Sequence, residues 1–181
     1  KAQNALTGYY DANKNNAAAA RFAVNAAYYV SKMKRAGNEG KSEEWLTNTI
    51  KSFEKYKATA PLKDGKNSAL GSLEGDMAAE CDFTIVDADV KKNFDYDTGH
   101  HRFKGTVVDV LKQYNAAAKD AEKYHTKLKR VVDPNTYGSI EYVTAGLSRQ
   151  GSLYDSLRTG LFNTREPQLQ LFAPAEEKLL K

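Results

Sequence analysis

Two stretches of this chain close in the same way. Residues 50–61 read IKSFEKYKATAP and residues 121–134 read AEKYHTKLKRVVDP; both carry an aromatic and several lysines, and both stop at a proline. Apolar residues spaced by three and four form one stripe of an α-helix. Proline ends such a helix because it lacks the N–H and restricts the residue before it. No segment alternates at period two over the length a full sheet requires. The pattern predicts an all-α fold.

The spacing divides the chain into six helices and the start of a seventh. The first covers 1–12, with Ala2, Ala5, Leu6, Tyr9 and Ala12 on one stripe. The second carries Ala18, Phe22, Ala26, Tyr29 and Met33 and ends at Gly37 and Gly40. Ser42 is placed as the N-cap of a third over about 43–59, whose shared face is Trp45, Leu46, Thr49, Ile50, Phe53 and Tyr56. After the loop PLKDGKN, Asn67 or Ser68 caps a fourth over about 69–93, with Leu70, Leu73, Met77, Cys81, Ile85 and Ala88 inward. The internal DFTIV would suit a strand alone, but the flanking periodicity makes it helix. A fifth spans about 102–132, with Phe103, Val107, Val110, Leu111, Tyr114, Ala117, Ala121, Tyr124, Leu128 and Val131. A sixth spans about 138–162, with Ile140, Val143, Leu147, Gly151, Tyr154, Leu157 and Leu161 as its apolar positions. The stretch NTREPQLQLFAP leads to the seventh. The fourth and fifth are unusually long.

Composition narrows the class. Charged residues make up 28% and hydrophobic ones 41%, which excludes wholesale disorder. The 27 basic residues are interleaved with 23 acidic ones at helical intervals, as on solvated faces, so no nucleic-acid partner is expected. No run approaches the roughly 18 apolar residues of a membrane helix, so no membrane insertion is expected. Cys81 is the only cysteine, which excludes an intrachain disulfide and suits a small core residue. The first residue is Lys1, and PAEEKLLK stops inside a helical pattern; 1–181 therefore reads as a single helical domain cut from a longer chain.

Four stretches resemble tetratricopeptide repeats. Ala5, Tyr9 and Ala12 follow the small–aromatic–small spacing of that family, and Phe22, Ala26 and Tyr29 follow its bulky–small–aromatic spacing to within one residue. Leu147, Gly151 and Tyr154 repeat the second pattern, and Phe53 stands eight residues ahead of Pro61 as in the closing helix. Thr49 and Tyr56 depart from it, as does Tyr124, ten residues before Pro134. The likeness covers about 1–61 well, 138–162 in part and the middle weakly; the chain also resembles divergent repeat proteins of bacterial envelopes. The resemblance implies an α-solenoid of antiparallel helix pairs, stacked through small and aromatic residues, with a concave groove for a peptide or partner subunit. Helical phase assigns to that groove Ala23, Ala27, Val30 and Ser31, flanked by Arg21 and Asn25, and Ser148, Ser152, Asp155 and Ser156 on the sixth helix. Self-association stays open, and the expected compartment tilts from cytoplasm toward periplasm or cell envelope.

Chemistry has few candidates. Asp95, Asp97, His100 and His101 in DYDTGHHR offer metal-type ligands, but adjacent histidines diverge on most backbones and the spacing fails as a calcium loop. Asp82, Asp87, Asp89, Asp95 and Asp97 read as an acidic solubility face, and His125 as an exposed residue among lysines. No nucleophile elbow or phosphate loop is present, so neither an enzyme nor a cofactor is expected. The expectation is a non-catalytic binding scaffold. Its alternatives are a structural segment packed on its own chain and a metal-dependent protein built on the Asp95–His101 loop.

Overall fold

The computed structural model describes residues 1–96 and 101–164; the expected seventh helix lies outside them. Six α-helices occur among the described residues: α1 (Ala2–Asn13), α2 (Ala20–Ala36), α3 (Ser42–Thr59), α4 (Leu73–Asn93), α5 (Val107–Val132) and α6 (Ile140–Phe162). A one-turn 3-10 helix, Ala17–Ala19, runs into α2, and a two-residue-per-strand hairpin pairs β1 (Leu62–Lys63) with β2 (Lys66–Asn67). The molecule is all-α, and DFTIV is helical.

Capping residues set the helix starts. Asn16 Oδ1 accepts from Ala18 N–H at 3.1 Å ahead of α2, and Ser72 Oγ accepts from Gly75 N–H at 3.1 Å ahead of α4. Thr106 and Asp109 form a reciprocal capping box on α5. Three expectations shift here. Ser42 is the first helical residue instead of the cap, and Lys41 turns the chain in with φ 67°. Asn67 spends its side chain on the 67–69 turn, so α4 begins at Leu73. The capping box starts α5 at Val107, and Phe103 is buried from the preceding loop. The hairpin turns on Asp64-Gly65, both at positive φ, the conformation that Asp-Gly tolerates in a two-residue turn.

Packing follows chain order. α2 lies against α1, α3 and α4; α4 also meets α5 and α6, which pack on each other. Tyr10, Ala23, Ala27, Val30 and Trp45 join α1, α2 and α3. Val24, Phe53, Met77, Ala78 and Tyr137 join α2 and α3 to the first half of α4. Val86 and Val90, on its second half, enter the cluster of Val110, Tyr124, Leu128, Leu153 and Leu157. Each fully buried large side chain contributes roughly 1.5–3 kcal/mol. α4 is the wall both ends of the molecule share.

The stripe on α3 falls where expected from Trp45 to Phe53, and that on α5 does so at Val110 and from Ala117 to Val131, while Val107 and Leu111, expected on the same stripe, are exposed. Those on α2 and α6 do not fall where expected. α2 buries Ala20, Ala23, Val24, Ala26, Ala27, Val30 and Ser31, leaving Phe22 60% and Tyr29 47% exposed. A helix pressed by three neighbours brings its smallest residues to the contacts. α6 buries Gly146, Gln150, Leu153, Ser156, Leu157 and Gly160 instead of the Leu147–Tyr154 line. A Cβ on Gly146 would stand 2.8 Å from Val132, and one on Gly160 3.0 Å from Tyr96, so glycine permits the approach.

The loop before α6 is pinned to the start of α4. Gly71 N–H donates to the Tyr137 carbonyl at 2.9 Å. A Cβ on Gly138 would fall 2.4 Å from Gly71 N, and one on Gly75 2.6 Å from Tyr137 O. Tyr137 O–H donates to Asp82 at 2.7 Å, and Arg130 reaches both Asp82, at 3.2 Å, and Glu54, at 2.6 Å. Burial pushes the Asp82 carboxyl above its ordinary range, against the Tyr137 hydrogen bond and the Arg130 charge. The supposed acidic face is therefore a line of contacts. Asp82 is buried, Asp87 meets Lys91 and Arg149, and Asp89 meets Lys127.

Candidate functional site

Two surfaces combine the residues singled out in the sequence with accessible chemistry. The first lies at the start of α2. Arg21 and Asn25, one helical turn apart, converge on Glu74 in the first turn of α4. Arg21 Nε and Asn25 Nδ2 each donate to Glu74 Oε1 at 3.0 Å. Glu74 is only 2% exposed, and its Oε2 is buried without a hydrogen-bond partner among the described residues. Burial drives this carboxyl upward; the bonds from Asn25, Arg21 and the backbone, with the Arg21 charge, outweigh it and hold Glu74 below its usual range. Ionised Glu74 thus fixes the Arg21 side chain, which remains 57% exposed.

Arg21 borders a cleft of about 720 Å³ between the start of α2, the end of α3 and the hairpin. Ala18, Phe22, Tyr56, Lys63 and Ser72 also line it, and among the described residues no acidic side chain does. Sequence reasoning singled out Arg21 but missed Lys63 and Glu74. The only local signal of Glu74 is its place two residues after the capping Ser72.

The second surface is the outer side of α6. Ile140, Leu147, Tyr154 and Leu161 are exposed along one side of the helix, Leu147 at 53% and Tyr154 at 46%. Tyr154 O–H donates to Glu122 of α5 at 3.3 Å, and its ring lies 6.1 Å from that of His125. His125 is accordingly half-buried between the two helices, not displayed among lysines, and its Nδ1 is buried without a partner among the described residues. Leu111 of α5 is also exposed.

The remaining predicted residues separate into free and occupied. Ser148 and Asp155 are exposed beside the α6 line, and Asp155 approaches Arg158 at 3.4 Å. Ser152 is half-buried, its hydroxyl donating to the Arg149 carbonyl at 2.9 Å; Arg149 Nε lies 2.8 Å from Asp87 as an ion pair not aligned for a hydrogen bond. Ser31 is fully buried and donates to the Tyr28 carbonyl at 2.7 Å. Ser156 is buried and accepts from Tyr96 N–H at 3.2 Å. Ala23, Ala27 and Val30 are core residues. The groove assigned by helical phase on α2 is thus an interior contact: Ala23, Ala27 and Val30 pack with Tyr10 of α1 and Trp45 of α3.

Of the DYDTGHHR ligands, Asp97 and His100 lie outside the described residues. His101 N–H donates to the Asp95 carbonyl at 3.1 Å, and the His101 ring packs 5.5 Å from Tyr96. Among the described residues no three His, Cys, Asp or Glu side chains gather as metal ligands. Cys81 is buried, and burial pushes its thiol up to about 12. No helix among the described residues is long and apolar enough to cross a membrane. Comparison with protein-family models, with curated proteins and with solved structures finds no match for this chain.

Proposed function

We propose that the chain is a non-catalytic interaction scaffold, a tetratricopeptide-like α-solenoid that receives a protein or peptide partner within a larger assembly. The observation that carries this reading is the solvent-facing line of Leu147, Gly151 and Tyr154 on α6. These residues have the spacing through which stacked helical units pack, and beyond the edge contact of Tyr154 with Glu122 and His125 of α5 their side faces solvent. Their small–aromatic relief matches what helix-in-groove recognition uses. Ser148 and Asp155 supply a polar margin. The order of packing, each helix chiefly on its chain neighbours, suits a stack of units.

A second reading is favoured by α1, where Ala5, Tyr9 and Ala12 also face solvent. With both outer helices displaying packing-type residues, the segment would be a structural one covered by further parts of its own polypeptide. One experiment decides between them. A photo-crosslinking amino acid replaces Leu147 in the protein expressed in its native host, with Thr126 as the control position. A discrete adduct with another polypeptide supports the scaffold. An adduct wholly within the parent chain supports the structural segment. No adduct at Leu147 or Tyr154 rejects both.

A further inference from the structure

We propose that the cleft at the start of α2 binds the carboxylate groups of an acidic peptide segment. The ligand class rests on the scaffold reading, but the site is separate from the α6 face. Two observations converge. The Arg21 guanidinium is held by its Nε on buried Glu74, and no described residue takes its remaining N–H groups. Lys63 stands across the same cleft, and among the described residues it has no acidic partner and no Asp or Glu lines the space.

The rest of the wall selects peptide over a plain anion. Phe22, 60% exposed and without a packing role, stands at the cleft with Tyr56 and Pro61. That surface would take an apolar side chain next to the carboxylates, with the Tyr56 and Ser68 hydroxyls as donors. Two cations recognise one or two carboxylates; a nucleic-acid track needs a longer basic stripe. A preset guanidinium loses less freedom on binding than a free one. Glu74 offsets the charge of Arg21, so the ligand is held by the guanidinium N–H groups that Glu74 leaves open and by the charge of Lys63.

The test uses the full chain and a fluorescein-labelled peptide containing Glu-Glu-Leu-Glu-Glu, followed by anisotropy at about 50 mM salt, where surface screening is modest. Saturable binding is expected, about tenfold weaker in Arg21→Gln and in Lys63→Glu, as for loss of one charge-assisted contact. Phe22→Ser is expected to weaken it severalfold, and the matching lysine peptide not to bind. Lys63 and Phe22 are surface residues, so those variants report even if Arg21→Gln unfolds, which circular dichroism would show. Absence of saturable binding, or equal affinity in all variants, overturns the site. Tighter binding of a labelled oligothymidine of equal charge overturns the peptide assignment in favour of nucleic acid. None of these outcomes alters crosslinking from Leu147, so failure of the cleft and failure of the scaffold are distinguishable.

Discussion

Tyr137→Phe removes one oxygen and leaves the ring where it was, tilted against Phe53 with the centroids 5.4 Å apart. What changes is Asp82. Its carboxylate is 12% exposed, loses its donor at 2.7 Å and keeps only Arg130 at 3.2 Å, on a side chain 43% exposed. A buried hydrogen bond to a charged group is worth about 1.5–3 kcal/mol, and the stranded acceptor sets the loss toward the upper end. For a domain of this size that lowers Tm by roughly 2–4 °C per kcal/mol. The loss should also depend on pH. Folded Asp82 holds its proton more tightly than the unfolded chain does, so its contribution to stability is full below the unfolded pKa and fades as pH rises through the higher folded one. Removing the Tyr137 donor raises that folded value further and deepens the loss across the same window. Well below it, near pH about 3, Asp82 is neutral in both states and the missing bond is an ordinary one of about 0.5–1.5 kcal/mol. Urea unfolding followed by far-UV circular dichroism, at neutral and acid pH, measures both. A cost below about 0.5 kcal/mol at neutral pH, or an equal cost at both, would refute the role given to this bond.

Glycine replacements should divide by position. Gly138→Ala, at φ 73° and with its Cβ 2.4 Å from Gly71 N, should cost more than about 3 kcal/mol, while Gly8→Ala, in helix with nothing within 4 Å, should be neutral or stabilising by up to about 1 kcal/mol; chemical denaturation of both variants checks the contrast. Cys81, buried and with its thiol raised to about 12, should resist Ellman's reagent in the folded protein and react at once in denaturant. Fast labelling of the native chain would contradict its burial.

Large apolar residues made the sequence readable where they alone do the packing. On α5, Val110, Ala117, Ala121, Tyr124, Leu128 and Val131 are the buried set, and their spacing announces it. On α2 and α6 alanine, serine and glycine share the contacts with Val24, Val30, Leu153 and Leu157, so a search for bulky stripes also selects Phe22 and Leu147, which face solvent. Hydrophobicity marks what a helix can bury; closeness of neighbours decides which side it does bury. Arg21 and Asn25 were visible as polar residues on a largely apolar helix, yet their partner lies 53 and 49 residues away and has no local signature. The Asp64-Gly65 dipeptide did carry a hairpin signal that the loop reading passed over.

The sharing of α4 has a mechanical consequence. Its first half completes the interior that α2 and α3 begin, and its second half completes the one that α5 and α6 need. Dividing the polypeptide on either side of this rod would leave one fragment with an open flank of alanine and valine. Melting that starts at one end must therefore travel through the rod to the other, and the two ends should be lost together in a single transition.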